Sequence, residues 1–267
     1  MIREGYTIGC AGLGNMGSAI LSGLSSSFAK ERLFGFDTDN SKAASNPHIT
    51  AVPGIIDLVK QSDILILAVK PDIIPKVLSD ISKSLDNTLL ISIAAGVSID
   101  TIESTIGKDK KVIRVMPNTP AMVGEGMTVL SHNANVDGAD LAHAEEIFSL
   151  LGKTAVMPEK YLNAVTALSG SGPAYGFTFI QAMADAGVKL GIPRDKALLL
   201  AAQTLKGSAE IVMSTGENPI ALRDKVASPG GTTIAAIHVL ERAGFSGIII
   251  DAIEEAARIA QKLGEKK

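Results

Sequence analysis

Six residues near the N-terminus, Gly12-Leu13-Gly14-Asn15-Met16-Gly17, most limit what this chain can fold into. An apolar run, Tyr6–Cys10, precedes them, and a segment with helical spacing (Ile20, Leu21, Leu24) follows. Between a strand and a helix, glycines at this spacing meet three needs. The first permits a tight turn, the second lets a pyrophosphate approach the backbone, and the third lets the helix pack on the strand. Unpaired N–H groups at the helix start then face the phosphates. Asp37 closes the next apolar run, Leu33–Asp37, 23 residues beyond Gly14. That is close to the ~20 expected for a carboxylate that binds the ribose of a dinucleotide. Such a carboxylate favours the free 2′-hydroxyl of NAD and repels a 2′-phosphate. Yet Thr38, Asn40, Ser41 and Lys42 follow at once and would hold that phosphate if the loop turned Asp37 aside, so both cofactors stay open. No G-x-x-x-x-G-K-[ST] motif is present, which argues against a P-loop NTPase.

The pattern around the motif extends along the first 158 residues. Runs rich in Ile, Val and Leu (Ile64–Val69, Leu89–Ala94, Val112–Met116) alternate with amphipathic segments such as Ile73, Val77, Leu78 and Ile81. This is the pattern of a doubly wound α/β domain with a parallel sheet. Pro47 and Pro53 forbid one long helix between Asp37 and Asp63. Two further strands are expected at Gly126–Ser131 and Thr154–Met157, with a helix over Asp140–Leu151 between them. After Pro158 the strand signals nearly stop. Residues 159–267 read as a helical domain: Lys160–Leu190 broken near Gly170–Pro173, then Asp195–Met213, Pro219–Val226, Thr233–Arg242 and Gly247–Leu263. Ala197–Ala202 is apolar without a break, and Phe177, Ile180, Ala184 and Val188 form a stripe. A lone bundle of ~110 residues has too little interior to cover such faces. The helical half is therefore expected to be an oligomer interface, most simply two-fold.

Composition narrows the class further. Apolar types are 46% and charged types 20% of the 267 residues, too apolar a mixture for disorder. A net charge of −3 lacks the basic excess of a nucleic-acid binder. The single cysteine, Cys10, rules out an intrachain disulfide framework and a multi-Cys metal site, and it reads as core. No run reaches the ~18 apolar residues of a membrane span. The N-terminus, with Arg3 before an apolar stretch, superficially resembles a secretory leader, but Glu4 and the glycines interrupt it, leaving a cytoplasmic expectation.

Four polar segments carry the remaining signals. Ala68-Val69-Lys70-Pro71 and Met116-Pro117-Asn118-Thr119-Pro120 lie at strand ends, where such sheets bind ligands. Ser169-Gly170-Ser171-Gly172-Pro173 breaks a helix. Ser228-Pro229-Gly230-Gly231-Thr232-Thr233 precedes one and resembles an anion cradle suited to a carboxylate, although a capped helix–helix turn has the same composition. The four histidines (48, 132, 143, 238) have no zinc-ligand spacing, no metal site is expected, and no serine is framed as G-x-S-x-G. No Lys or His stands out as the base an alcohol dehydrogenation usually needs. Reduction of a protonated imine needs none: the substrate already carries the charge that attracts hydride, and the enzyme aligns it and hydrogen-bonds its nitrogen.

Taken together, AGLGNMG, AVKP, AAGV, RVMPNTP, LSGSGPAY, MADAGVKLG and SPGGTT followed by IAAIHVLE resemble the pyrroline-5-carboxylate reductase family, in order from about Ile8 to Leu263. The resemblance implies reduction of L-1-pyrroline-5-carboxylate to L-proline by NAD(P)H. It also implies a Rossmann domain and a helical domain that interlocks in a homodimer, sometimes assembled into a decamer. By position, Ala11, Gly12, Leu13, Gly14, Asn15 and Met16, then Ala68, Val69, Lys70 and Pro71, then Ala94, Ala95 and Gly96 would contact the cofactor, joined by Gly17, Asp37 and Asn118. Ser228, Gly230, Gly231 and the backbone of Thr232 and Thr233 would hold the substrate carboxylate, the Thr233 hydroxyl the ring nitrogen, and Glu159 would lie near the substrate. Many members prefer NADPH and carry a Ser-rich segment where this chain has Asp37. The 3-hydroxyacid dehydrogenases share the domain plan, but their catalytic Lys, four residues past the glycine-rich helix break, is matched here by Gly176. A non-catalytic dinucleotide-binding relative is the other alternative.

Overall fold

The computed structural model describes residues 5–265; Arg3 and Glu4, which bear on the leader reading, lie outside them. Eight strands form one sheet: β1 (Ile8–Ala11), β2 (Leu33–Phe36), β3 (Thr50–Ala51), β4 (Ile64–Leu67), β5 (Leu89–Ser92), β6 (Val112–Met116), β7 (Gly126–His132) and β8 (Gly152–Val156). Their order is β3-β2-β1-β4-β5-β6-β7-β8. The first six are parallel, β7 runs antiparallel to β6, and β8 is parallel to β7. The sheet is therefore mixed at one side, where a wholly parallel one was expected.

Strand side chains alternate between two cores. Ile8, Cys10, Ile64, Ile66, Leu89 and Ile91 point to the face covered by α1 (Asn15–Leu24) and α6 (Gly138–Ser149). Ala11, Leu65, Leu67 and Leu90 point to the face covered by α3 (Ile55–Lys60), α4 (Ile74–Ile81) and α5 (Ile99–Ile106). Burial on both faces is why these strands are runs of Ile and Leu with no polar alternation. The short α2 (Asn40–Ser45) lies before Pro47, and α3 begins after Pro53, so neither proline falls inside a helix. Cys10 is buried, and burial, with Asp37 nearby adding a smaller push, raises its thiol to about 12. It is packing, as its sequence context indicated.

Beyond the sheet, α7 (Leu162–Val165) passes into a π turn over Thr166–Gly170, and α8 (Gly172–Lys189), α9 (Arg194–Thr215), α10 (Pro219–Val226), α11 (Thr232–Arg242) and α12 (Phe245–Glu265) follow. Two compact units result. One holds the residues up to Ser171 together with those from Ala256 onward; the other is Gly172–Glu255. The second unit has a thin interior: Ala184, Ala197 and Ala201, with Ile180, Met183, Val188 and Ile192 against them. Its larger apolar side chains face outward, with Phe177 63%, Leu190 83% and Val226 68% exposed. No single described helix is long and apolar enough to cross a membrane; only the bent pair Thr232–Arg242 and Phe245–Gly264 reaches that length and composition together. Outward apolar surface on this scale marks an interaction face. Sedimentation at micromolar concentration is expected to give a species at least twice the 27.7 kDa chain mass. A stable monomer would remove the interface reading.

Candidate functional site

The glycine turn is held from both sides of β1. The Gly12 amide donates to the Phe36 carbonyl at 2.8 Å, and the Ala68 amide donates to the Ala11 carbonyl at 2.8 Å. Gly12 adopts φ +94°, and a Cβ there would stand 2.7 Å from the Ala68 carbonyl oxygen. A Cβ on Gly17 would collide with the Gly12 carbonyl oxygen, whereas around Gly14 there is open space. The first and third glycines are thus required by the protein's own backbone, and the second leaves room for an approaching group. Gly14 is the N-cap of α1, and no side chain caps that end or places an acid in its first turn. Its free N–H groups and dipole suit an anion. The residues present fit a dinucleotide pyrophosphate.

The neighbouring strand ends complete this side. After β4, Ala68 packs under the turn and Lys70 leads into a single 3₁₀ turn with Pro71 at its first position. After β5, Ala94 is buried, and Ala95 and Gly96 turn the chain toward α5. There the last turn of α12 comes close: a Cβ on Gly96 would lie 3.3 Å from the Gly264 amide nitrogen. Asp37, just past β2, has its carboxylate bound by protein. Oδ2 accepts from the Leu13 amide at 2.8 Å and Oδ1 from the Asp39 amide at 2.9 Å, with Lys42 Nζ 3.4 Å from each oxygen. Burial pushes its pKa up, but the amides of Asp39 and Leu13 and then the Lys42 ammonium outweigh that and hold it below the ordinary carboxylate value. Asp37 is therefore ionised at neutral pH.

Two other expected site residues serve the scaffold visibly. Asn118 is 9% exposed; its Oδ1 accepts from the Met127 amide at 2.8 Å, and its Nδ2 donates to Ser169, at 3.2 Å from the carbonyl and 3.3 Å from Oγ. The side chain ties the turn after β6 to the glycine-rich helix break. Glu159 Oε1 accepts from Arg114 Nη1 at 2.9 Å and from the Ile99 amide, the first of α5, at 2.8 Å. Arg114 lies inside β6 with its side chain 8% exposed. The ion pair was missed from sequence, although an arginine within an otherwise apolar strand signals a buried partner.

In the helical unit, Ser228–Thr233 leads into α11. Gly230 takes φ +67°, the Gly231 amide donates to the Ser228 carbonyl at 3.0 Å, and a Cβ on Gly231 would collide with Ser228 Oγ. No side chain caps α11, whose first residues are Thr232 and Thr233. Backbone donors and two hydroxyls thus gather at an uncapped helix start. Among the described residues no group of His, Cys, Asp or Glu is placed to hold a metal ion.

An open α/β sheet with a glycine turn at the end of its first strand and an uncapped helix behind it defines a dinucleotide-binding Rossmann-type protein. Residues 7–96 match a family described as NADP oxidoreductase coenzyme F420-dependent, and residues 159–263 match pyrroline-5-carboxylate reductase dimerisation. The chain is 44% identical to the pyrroline-5-carboxylate reductase of Escherichia coli (strain K12), covering 97% of this chain and 98% of that one. It is 40% identical to that of Glycine max, covering 97% of each. A crystal structure of Plasmodium falciparum pyrroline carboxylate reductase with NADP bound superposes with a TM-score of 0.91 at 36% identity, covering 98% of this chain and 99% of that one. The chain belongs to the pyrroline-5-carboxylate reductase family.

The Arg114–Glu159 pair yields a direct test. Glu159→Gln keeps an acceptor for the Ile99 amide but removes the charge facing Arg114. Urea unfolding is expected to show a loss of about 1–2 kcal/mol, below the full cost of breaking a buried pair because Glu159 is partly exposed. In an Arg114→Met background the same change should cost little; an undiminished cost there would sink the pairing argument.

Proposed function

We propose that this protein reduces L-1-pyrroline-5-carboxylate to L-proline with NADPH or NADH, the closing step of proline synthesis. The observation that carries the reading is the uncapped start of α11 within SPGGTT, in a chain of this family. The amides of Thr232 and Thr233 and the Ser228 hydroxyl hold the substrate carboxylate, using donors that no side chain of the protein caps. The Thr233 hydroxyl oxygen accepts from the protonated ring nitrogen and so fixes which carbon is presented. The bound dinucleotide supplies hydride. The glycine turn, with Ala68–Pro71 and Ala94–Gly96, holds it, and the electron pair of the C=N bond collapses onto nitrogen, leaving the secondary amine of proline. No base is required, in keeping with Gly176 standing where the 3-hydroxyacid dehydrogenases carry their lysine.

The same reading assigns residues 159–267 to substrate binding and dimerisation. Two copies of the chain, joined through the outward apolar faces of the helical unit, give those faces the interior they lack alone. Higher assembly, up to a decamer built of dimers, follows the family pattern, and the working compartment is the cytoplasm. Glu159 acts from beside the site, by fixing the entry to α7 against Arg114.

Purified protein is expected to oxidise NADPH or NADH when given pyrroline-5-carboxylate and to ignore 3-hydroxy and 3-keto acids. Absence of turnover with both cofactors would overturn the reductase assignment in favour of a non-catalytic dinucleotide binder. Thr233→Val keeps the shape and removes the hydroxyl, so kcat/KM should fall roughly tenfold to a hundredfold, the weight of one hydrogen bond to a charged group. An unchanged rate would take Thr233 out of the site.

A further inference from the structure

A carboxylate at the end of the second strand ordinarily accepts from the ribose 2′-hydroxyl and so selects NAD. In this chain that carboxylate is already employed. A carboxylate offers about four acceptor positions. In Asp37 the amides of Leu13 and Asp39 take one on each oxygen, and the Lys42 ammonium stands 3.4 Å from both. The Leu13 contact ties Asp37 to the glycine turn itself, so the carboxylate cannot swing aside without releasing the turn. One nearby hydroxyl is committed as well: Ser41 donates its amide at 3.1 Å and its Oγ at 2.6 Å to Asp39 Oδ1, capping α2. Lys42 differs from all of these. Its side chain is 44% exposed against 10% for Asp37, and its partner holds it at a long distance. It is also the basic side chain lining a hollow of about 620 Å³ beside the turn, together with Leu13, Gly14, Asn15 and Ser18.

We propose that Lys42 is the residue that sets the preference between 2′-phosphorylated and plain dinucleotides, with Asp37 fixed as a brace of the phosphate turn. The inference rests on the dinucleotide-binding part of the reading above. A 2′-phosphate arriving beside a fixed, ionised Asp37 would be repelled. Lys42 reverses the sign of that encounter by standing between two anions, and its weak hold on Asp37 leaves it free to serve the stronger one. With no 2′-phosphate present, Lys42 stays on Asp37 and adds nothing to affinity. The chain thus accepts both cofactors, and the part of its affinity that distinguishes NADPH from NADH resides in one exposed ammonium.

The test is calorimetric titration of the full-length protein, without imine substrate, using adenosine 2′,5′-bisphosphate against 5′-AMP and NADPH against NADH. Lys42→Met should weaken the two 2′-phosphorylated ligands roughly tenfold to a hundredfold. It should leave 5′-AMP and NADH within about twofold, as expected for an exposed pair of little intrinsic weight. Lys42→Arg, which keeps the charge, should recover most of the loss. Equal weakening of both ligand classes, or no change in either, overturns the assignment of Lys42. Turnover of pyrroline-5-carboxylate is scored separately. A chain that discriminates through Lys42 yet reduces no imine would remove the reductase reading and leave this one standing. A working reductase whose NADPH preference survives Lys42→Met would do the reverse.

Discussion

The structure depends most on the close approach of backbone to backbone where β1 becomes α1. The Gly12 carbonyl oxygen would collide with a Cβ on Gly17, and the Ala68 carbonyl oxygen lies 2.7 Å from where a Cβ on Gly12 would be. That contact sets α1 against the sheet, aims its uncapped N-terminus beyond the strand ends, and brings the segment after β4 beneath the turn. The Asp37 carboxylate then holds the turn from the β2 side through Leu13. The segments that follow β2 and β4 are placed relative to this junction. An anion approaching the uncapped start of α1 would therefore meet a site whose shape is fixed beforehand, with little ordering left to oppose association.

Much of the sheet was legible because its strands are short apolar runs bounded by turn residues. Val112–Met116 and Pro219–Val226 carry the expected limits, and the other elements given limits from sequence shift by one to a few residues, as helix and strand ends usually do, whereas α2, β3, α3 and α5 were not delimited. The direction of β7 was not legible from its composition. Val129 and Leu130 would serve either direction equally. The deciding fact is the nine-residue link from Met116 to Gly126, filled by the 3₁₀ turn Thr119–Val123. A parallel return needs a crossover of a dozen or more residues, so this link allows only reversal.

The candidate site was legible to different depths in its two halves. The glycine turn was readable to the residue because backbone sterics dictate it. Asp37 was readable as an acid at the end of β2, but its actual partners were not. Binding by the Leu13 amide depends on a tertiary approach that spacing along the chain does not encode. Asn118 and Glu159 follow the same rule. Their residue types announce hydrogen bonding, whereas the choice of Ser169, Met127, Arg114 and Ile99 as partners comes from how β6, α5 and the π turn are brought together. Polar residues at strand ends thus divide between the ligand and the scaffold, and only three-dimensional neighbours tell which.

The thin core of the helical unit gives the last constraint. Burial of three alanines and four partly covered aliphatic side chains removes little apolar area, while ordering the residues between Gly172 and Glu255 carries a conformational entropy cost of roughly 1–2 kcal/mol each. Leu199, Leu200, Ile211 and Ile248 stay half exposed or more, so the area that would offset this cost lies on the outside. Burial contributes roughly 25 cal/mol per Å² only where the surface leaves water. A unit with this distribution needs a covering surface to gain its stability. The small residues that let α8 and α9 approach closely therefore leave their larger neighbours facing outward, and the helices flanking Ser228–Thr233 depend for their stability on whatever covers those faces.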